Sequence, residues 1–153
     1  MVNCDLNSFS SAIGRAELHV SFKVKYCHKI FSEVPGVQER CDKIFREVAE
    51  KYKFAIHEVG FDKNHAHLSL DLGVKYSVME VAKLLKGTSG YKLLEEFPKM
   101  KRKYFWGSGL WGGQIYFYST GRDADQMRTY VRNQAGNKKK VPDGQTAITK
   151  YLT

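Results

Sequence analysis

The sequence predicts an α+β fold. An antiparallel sheet carries helices on one face, on the split βαβ, ferredoxin-like plan, and a C-terminal helix follows. Three observations predict it. Segments of period two and segments of helical period follow one another in the order β-α-β-β-α-β. Turn and cap residues separate them. No internal repeat or low-complexity linker divides the 153 residues, a length that gives one domain with a real core.

The first strand is predicted over residues 17–26, with Leu18, Val20, Phe22 and Val24 turned inward. Pro35-Gly36 marks a turn or helix start. From Val37 to Tyr52 apolar residues recur at Val37, Cys41, Ile44, Phe45, Val48 and Tyr52, the spacing of an amphipathic helix. A second strand, about 53–60, carries Phe54, Ile56 and Glu58 and ends at Gly60. Phe61-Asp62-Lys63-Asn64 then turns into a strand that starts at His65-Ala66-His67 and alternates to Leu72. Ser77 reads as an N-cap with Glu80 as its capping-box partner. The helix they open runs through Val81, Leu84 and Leu85 and stops at Gly87, and a short helix is expected over Gly90–Phe97, before Pro98. The last strand is expected from Trp111 to Thr120. Asp123 caps a final helix with Gln126 in the capping-box position, and this helix ends near Gln134, before Gly136. The expected division is an N-terminal extension (1–16), the domain (17–136) and a basic C-terminal tail (137–153).

Lysine and arginine number 25 against 16 acidic residues, a net charge of +9 that favours a polyanionic partner. The excess is clustered at Lys99, Lys101, Arg102 and Lys103 and again at Lys138, Lys139 and Lys140. Tyr104, Phe105, Trp106, Trp111, Tyr116, Phe117 and Tyr118 lie beside the first cluster. Cations interleaved with exposed aromatics suit single-stranded nucleic acid, whereas buried aromatics would simply be core. No apolar run is long enough to cross a membrane, and the N-terminus lacks the layout of a signal peptide. Cys4, Cys27 and Cys41 show no metal or redox spacing, so reduced thiols and a cytoplasmic protein are the expectation.

The chemistry concentrates in two places. In a strand, residues i and i+2 share a face, so His65 and His67 project side by side, with Ser69 and Asp71 following. Such a pair is either two satisfied polar groups or the first two ligands of a metal site. Glu58 or Asp71 is a candidate for orienting an imidazole. In the final helix Tyr130 and Gln134 are i and i+4, neighbours on one face. A tyrosine there is usually a packing residue with a tethered hydroxyl, because phenol is a weak nucleophile at its ordinary pKa.

Taken together these features resemble a known family. Asn64-His65-Ala66-His67, Leu85-Lys86-Gly87-Thr88-Ser89 read as a turn, Phe97-Pro98, Trp106 and Trp111 around a glycine-rich loop, and Tyr130-Val131-Arg132-Asn133-Gln134 are similar in order and spacing to the single-tyrosine HUH transposases, the TnpA type of the insertion sequence 200/605 group. The resemblance covers roughly residues 17–135. Ala66 is smaller than the usual bulky residue between the two histidines.

The resemblance implies a transposase that cuts and rejoins single-stranded DNA at hairpin-bearing transposon ends. Tyr130 would be the nucleophile, forming a 5′-phosphotyrosine. His65, His67 and Gln134 would hold Mg²⁺ or Mn²⁺. Lys63, Lys83, Lys86, Arg122, Arg128 and Arg132 would contact phosphates. The implied partners are DNA with imperfect hairpins and a second copy of the chain in a homodimer; Tyr130 could then act in cis or in trans. No nucleotide cofactor is implied, and no Gly-x-x-x-x-Gly-Lys-Ser/Thr loop is present. A non-catalytic nucleic-acid-binding module on the same sheet plan is the alternative from another class, and a domesticated relative that processes palindromes is the alternative within the enzyme class.

Overall fold

A computed structural model describes residues 7–8 and 11–119. The predicted final helix and the basic tail lie outside the described residues, and with them Arg122, Arg128, Tyr130, Arg132 and Gln134.

A two-stranded hairpin, β1 (Asn7–Ser8) with β2 (Ile13–Gly14), precedes the main sheet. The sheet is built from β3 (Glu17–Val24), β4 (Ala55–Phe61), β5 (His65–Asp71) and β6 (Trp111–Ser119). Its order is β4-β5-β3-β6, antiparallel throughout. The short α1 (Ile30–Glu33) leads into α2 (Val37–Tyr52), which joins β3 to β4; α3 (Val78–Glu96) and α4 (Pro98–Tyr104) join β5 to β6. This is the ferredoxin-like plan expected from the sequence.

The core lies between the sheet and the helix layer. Val20, Phe22 and Val24 of β3 and Ala66, Leu68 and Leu70 of β5 pack with Cys41, Ile44, Phe45 and Val48 of α2 and Val81, Ala82, Leu85 and Leu93 of α3. Each large apolar side chain fully removed from water contributes roughly 1.5–3 kcal/mol. The same alternation places Ser21, Lys23, His65 and His67 on the opposite, open face. Ala66, between the two histidines in the strand, is fully buried on the helix-facing side.

Two strand boundaries differ from expectation for backbone reasons. β3 stops at Val24, not 26, because Tyr26 and Cys27 adopt left-handed φ of 59° and 56°. β4 starts at Ala55, not 53, because Lys53 closes α2 with φ 64°. Within β4 the register shifts between Ile56 and Glu58. That bulge resets the alternation, so Glu58 is exposed while Val59 and Phe61 pack against the core.

The larger correction concerns α3. The capping box forms as expected: Glu80 N–H donates to Ser77 Oγ at 3.2 Å, and Ser77 N–H to the Glu80 carboxylate at 2.8 Å. The helix does not stop at Gly87, and the stretch Leu85–Ser89 is not a turn. One helix runs to Glu96 and absorbs the segment expected to be separate. A mid-helix glycine costs only about 1 kcal/mol, and packing overrides it here. Ser89 is fully buried and donates back to Leu85 O at 2.6 Å, while Gly90 lies against the Trp111 indole. Pro98 then opens α4 at a first-turn position that needs no N–H donor.

Candidate metal centre

The β4–β5 hairpin assembles the site. Asp62 N–H donates to His65 O at 2.9 Å across the turn, and this closure folds the Asp62 side chain back over the start of β5. Its Oδ2 lies 3.1 Å from His65 Nε2 and 2.9 Å from His67 Nε2. The two imidazoles sit edge to face with ring centroids 4.7 Å apart. Asp62, His65 and His67 can each offer one ligand atom within 4.8 Å of the others.

The remaining ring nitrogens are also engaged. His65 Nδ1 is bonded to the Asn64 side-chain oxygen, and His67 Nδ1 lies 3.4 Å from His19 Nε2. Both Nε2 atoms therefore converge on one point while both Nδ1 atoms are tethered elsewhere. Burial lowers the pKa of His65, helped by repulsion from His67 and Lys23 and opposed by Asp62. The hydrogen bond from His67 leads the effects that hold the Asp62 carboxyl below its ordinary range. A neutral imidazole beside an ionised carboxylate is the protonation state a divalent cation requires. Two imidazole nitrogens and one carboxylate oxygen suit Mn²⁺ or Mg²⁺ with further oxygen ligands, so the donor set fits such an ion.

Asp62 was not among the ligands expected from sequence. Its signal is its place in the hairpin turn, three residues before His65, where cross-turn pairing returns it to the strand. Asp71, considered for orienting an imidazole, is buried, and its Oδ1 accepts from Ala16 N–H and Gly73 N–H, both at 2.9 Å. Glu58 is exposed, opposite Ser69 in the strand register.

The expected phosphate contacts have different settings. Lys63 is exposed in the same hairpin turn as Asp62, and Lys83 is exposed on α3, across the sheet from the imidazoles. Lys86 is half-buried and donates to Gly112 O at 2.6 Å, tying α3 to β6; burial lowers its pKa. The basic cluster Lys99, Lys101, Arg102 and Lys103 is exposed on α4. The aromatics beside it divide: Phe105 and Trp111 are core, whereas Trp106, Tyr116 and Phe117 are exposed. The Tyr104 hydroxyl donates to Glu33 at 2.6 Å.

A ferredoxin-like sheet thus carries on its open face a two-histidine, one-carboxylate cluster that could hold a divalent cation. The chain belongs to the IS200-like transposases, whose family pattern matches residues 12–134. It is 25% identical over 119 residues to the ISDra2 transposase TnpA of Deinococcus radiodurans, covering 77% of this chain and 83% of that protein. It is 27% identical over 135 residues to the transposase for insertion sequence element IS200 of Salmonella typhimurium, covering 85% of this chain and 84% of that one. Its fold is similar to the crystal structure of a putative transposase from Deinococcus radiodurans, with TM-score 0.68 at 22% identity over 84% of this chain and 97% of that one. A more distant fold relative is a REP-associated tyrosine transposase solved bound to a REP hairpin, with TM-score 0.53 at 8% identity over 86% of this chain and 74% of that one. Among the described residues no helix is long and apolar enough to cross a membrane.

Proposed function

We propose that this transposase cleaves and rejoins single-stranded DNA at hairpin-bearing ends through a tyrosine nucleophile, in a metal-dependent reaction. The observation that carries the reading is the convergence of His65 Nε2 and His67 Nε2 on one Asp62 oxygen, in a chain of this family.

His65, His67 and Asp62 would hold Mg²⁺ or Mn²⁺, with the Gln134 amide oxygen as a further donor. Such an ion, when bound, supplies charge neutralisation at a non-bridging oxygen of the scissile phosphate. Tyr130 loses its phenolic proton to solvent and its oxygen attacks phosphorus. The bond from phosphorus to the 3′ oxygen breaks, and that oxygen takes up a proton. The products are a 5′-phosphotyrosine and a free 3′-OH. Attack by the 3′-OH of a second strand on the phosphotyrosine reverses the exchange and releases Tyr130. One phosphoester bond forms for each that breaks, so no nucleotide cofactor is consumed. Lys63, beside the cluster, would hold the DNA backbone, and Lys83, Lys86, Arg122, Arg128 and Arg132 would be further phosphate contacts, since lysine and arginine supply sequence-independent affinity. The working unit is a homodimer, with Tyr130 supplied by either copy.

The test is formation of a covalent protein–DNA adduct on hairpin-bearing single strands with Mg²⁺ or Mn²⁺. The wild type gives an adduct that chelation prevents, and Tyr130→Phe gives none while still retarding the DNA on a gel. An adduct from the phenylalanine variant would mean a different nucleophile. DNA binding without any adduct under either ion would leave a non-catalytic binding module as the reading.

A further inference from the structure

His19 stands outside the three-donor cluster and nothing in the proposed reaction uses it. It lies on β3, opposite Ser69 of β5 and Tyr118 of β6, and diagonal to His67 on the open face. Diagonal neighbours on antiparallel strands are within reach of long or aromatic side chains. The His19 ring stacks on Tyr118, with centroids 4.9 Å apart and planes at 19°, and its Nε2 lies 3.4 Å from His67 Nδ1. Asp62, His67, His19 and Tyr118 therefore form one continuous row across the sheet.

A neutral imidazole carries one proton on two nitrogens. If His67 gives its Nε2 lone pair to a cation, its proton must sit on Nδ1, where it needs an acceptor. For His65 that acceptor is the Asn64 side-chain oxygen. For His67 the group in place is His19 Nε2. Without a cation the demand reverses: His67 Nε2–H can donate to Asp62 at 2.9 Å, and its Nδ1 then needs a donor. A neutral imidazole in one tautomer accepts through Nε2, and in the other it donates through the same atom. His19 Nε2 is therefore placed to accept from His67 Nδ1–H when a cation takes Nε2, while stacking on Tyr118 holds the His19 plane.

We propose that His19 is a positioning residue for the metal centre: it takes the Nδ1 proton of His67 in a hydrogen bond and so leaves His67 Nε2 free to bind the cation. The inference rests on the metal-dependent reading of the site and assigns a residue that reading does not contain.

The test measures binding of Mn²⁺ alone to the full-length protein, by loss of the free-ion electron paramagnetic resonance signal, for wild type, His19→Phe and His19→Gln. Phenylalanine keeps a ring against Tyr118 but offers no acceptor, whereas the glutamine amide can either accept or donate. Loss of such an outer partner typically weakens metal affinity 10–100-fold. The expected result is about that loss for His19→Phe and recovery to within about threefold of wild type for His19→Gln. Matching circular dichroism spectra and melting temperatures exclude a folding effect, and if His19→Phe does not fold, His19→Leu takes its place. Wild-type affinity in the variant lacking the acceptor would overturn the role of His19 and leave the metal centre standing. Equal losses in both variants would overturn it too, because ring packing alone would then explain them. No Mn²⁺ binding by the wild type would overturn the metal reading itself.

Discussion

Trp111 Nε1–H donates to Ser89 Oγ at 2.9 Å inside the core, joining the first residue of β6 to the middle of α3. Ser89 donates in turn to Leu85 O, so one hydroxyl serves both a helix carbonyl and an indole. Ser89→Ala leaves the Trp111 N–H buried without an acceptor. The expected loss of stability is about 1–3 kcal/mol, the cost of an unpaired buried polar group. Denaturant unfolding monitored by tryptophan fluorescence measures it; a loss below a few tenths of a kcal/mol would show that the indole finds another partner.

Gly87 gives the opposite expectation. It is exposed in the interior of α3, and a Cβ built there meets nothing within 4 Å. Gly87→Ala should stabilise the protein by roughly 0.5–1 kcal/mol through helix propensity alone. A raised melting temperature with an unchanged denaturant slope is the expected record. A fall would mean that the added methyl group meets a neighbour and that helix propensity does not decide the outcome.

Asp62 contributes charge as well as a donor atom. Asp62→Asn keeps its shape but removes the negative charge between the imidazoles. Mn²⁺ affinity should fall at least tenfold, while hairpin binding in the presence of chelator stays the same or tightens, because an acidic group is removed from a basic protein. Unchanged Mn²⁺ titration would place the carboxylate outside the coordination shell.

Arg40 and Glu96 pair through two hydrogen bonds, Nε to Oε2 at 2.7 Å and Nη2 to Oε1 at 2.9 Å, linking α2 to the end of α3. The bond from Arg40 leads the effects that hold the Glu96 carboxyl below the ordinary carboxylate range. A carboxyl with depressed folded pKa contributes stability above its unfolded pKa and loses it as pH falls through the folded value. The contribution is therefore complete at neutral pH and is lost only as acid protonates the carboxyl in the folded protein. Because both groups are partly exposed, solvent screening limits it to at most about 1 kcal/mol. Glu96→Gln should destabilise by that order at pH 7, with the gap to wild type narrowing as pH falls through the folded value; an equal gap at neutral and acid pH would assign the effect to packing.

Helix α2 was readable to its end residues because its apolar spacing, the preceding Pro35-Gly36 and the lack of internal glycine all agree. The Ser77–Glu80 cap was equally legible, since both partners lie within one turn. The length of α3 was not, because it depends on Trp111 packing over Gly90, a contact between residues 21 apart in the chain. The two histidines were legible from period two alone. Asp62 was not, because its role depends on how the turn closes, and His19 was not, because its partner lies 48 residues away. Local periodicity encodes which face a residue takes, whereas strand register decides who stands beside it.

The hairpin has a consequence for how the site comes into being. Asp62, His65 and His67 fall within six consecutive residues, so their convergence depends on one turn and the first pairings of two adjacent strands. Hairpins of this kind close in about 1–10 μs, well before contacts between distant segments are usually complete. A cation captured by so local a chelate would stabilise that hairpin ahead of the rest of the chain. Metal supply during folding would then influence how quickly the sheet assembles, apart from any influence on turnover.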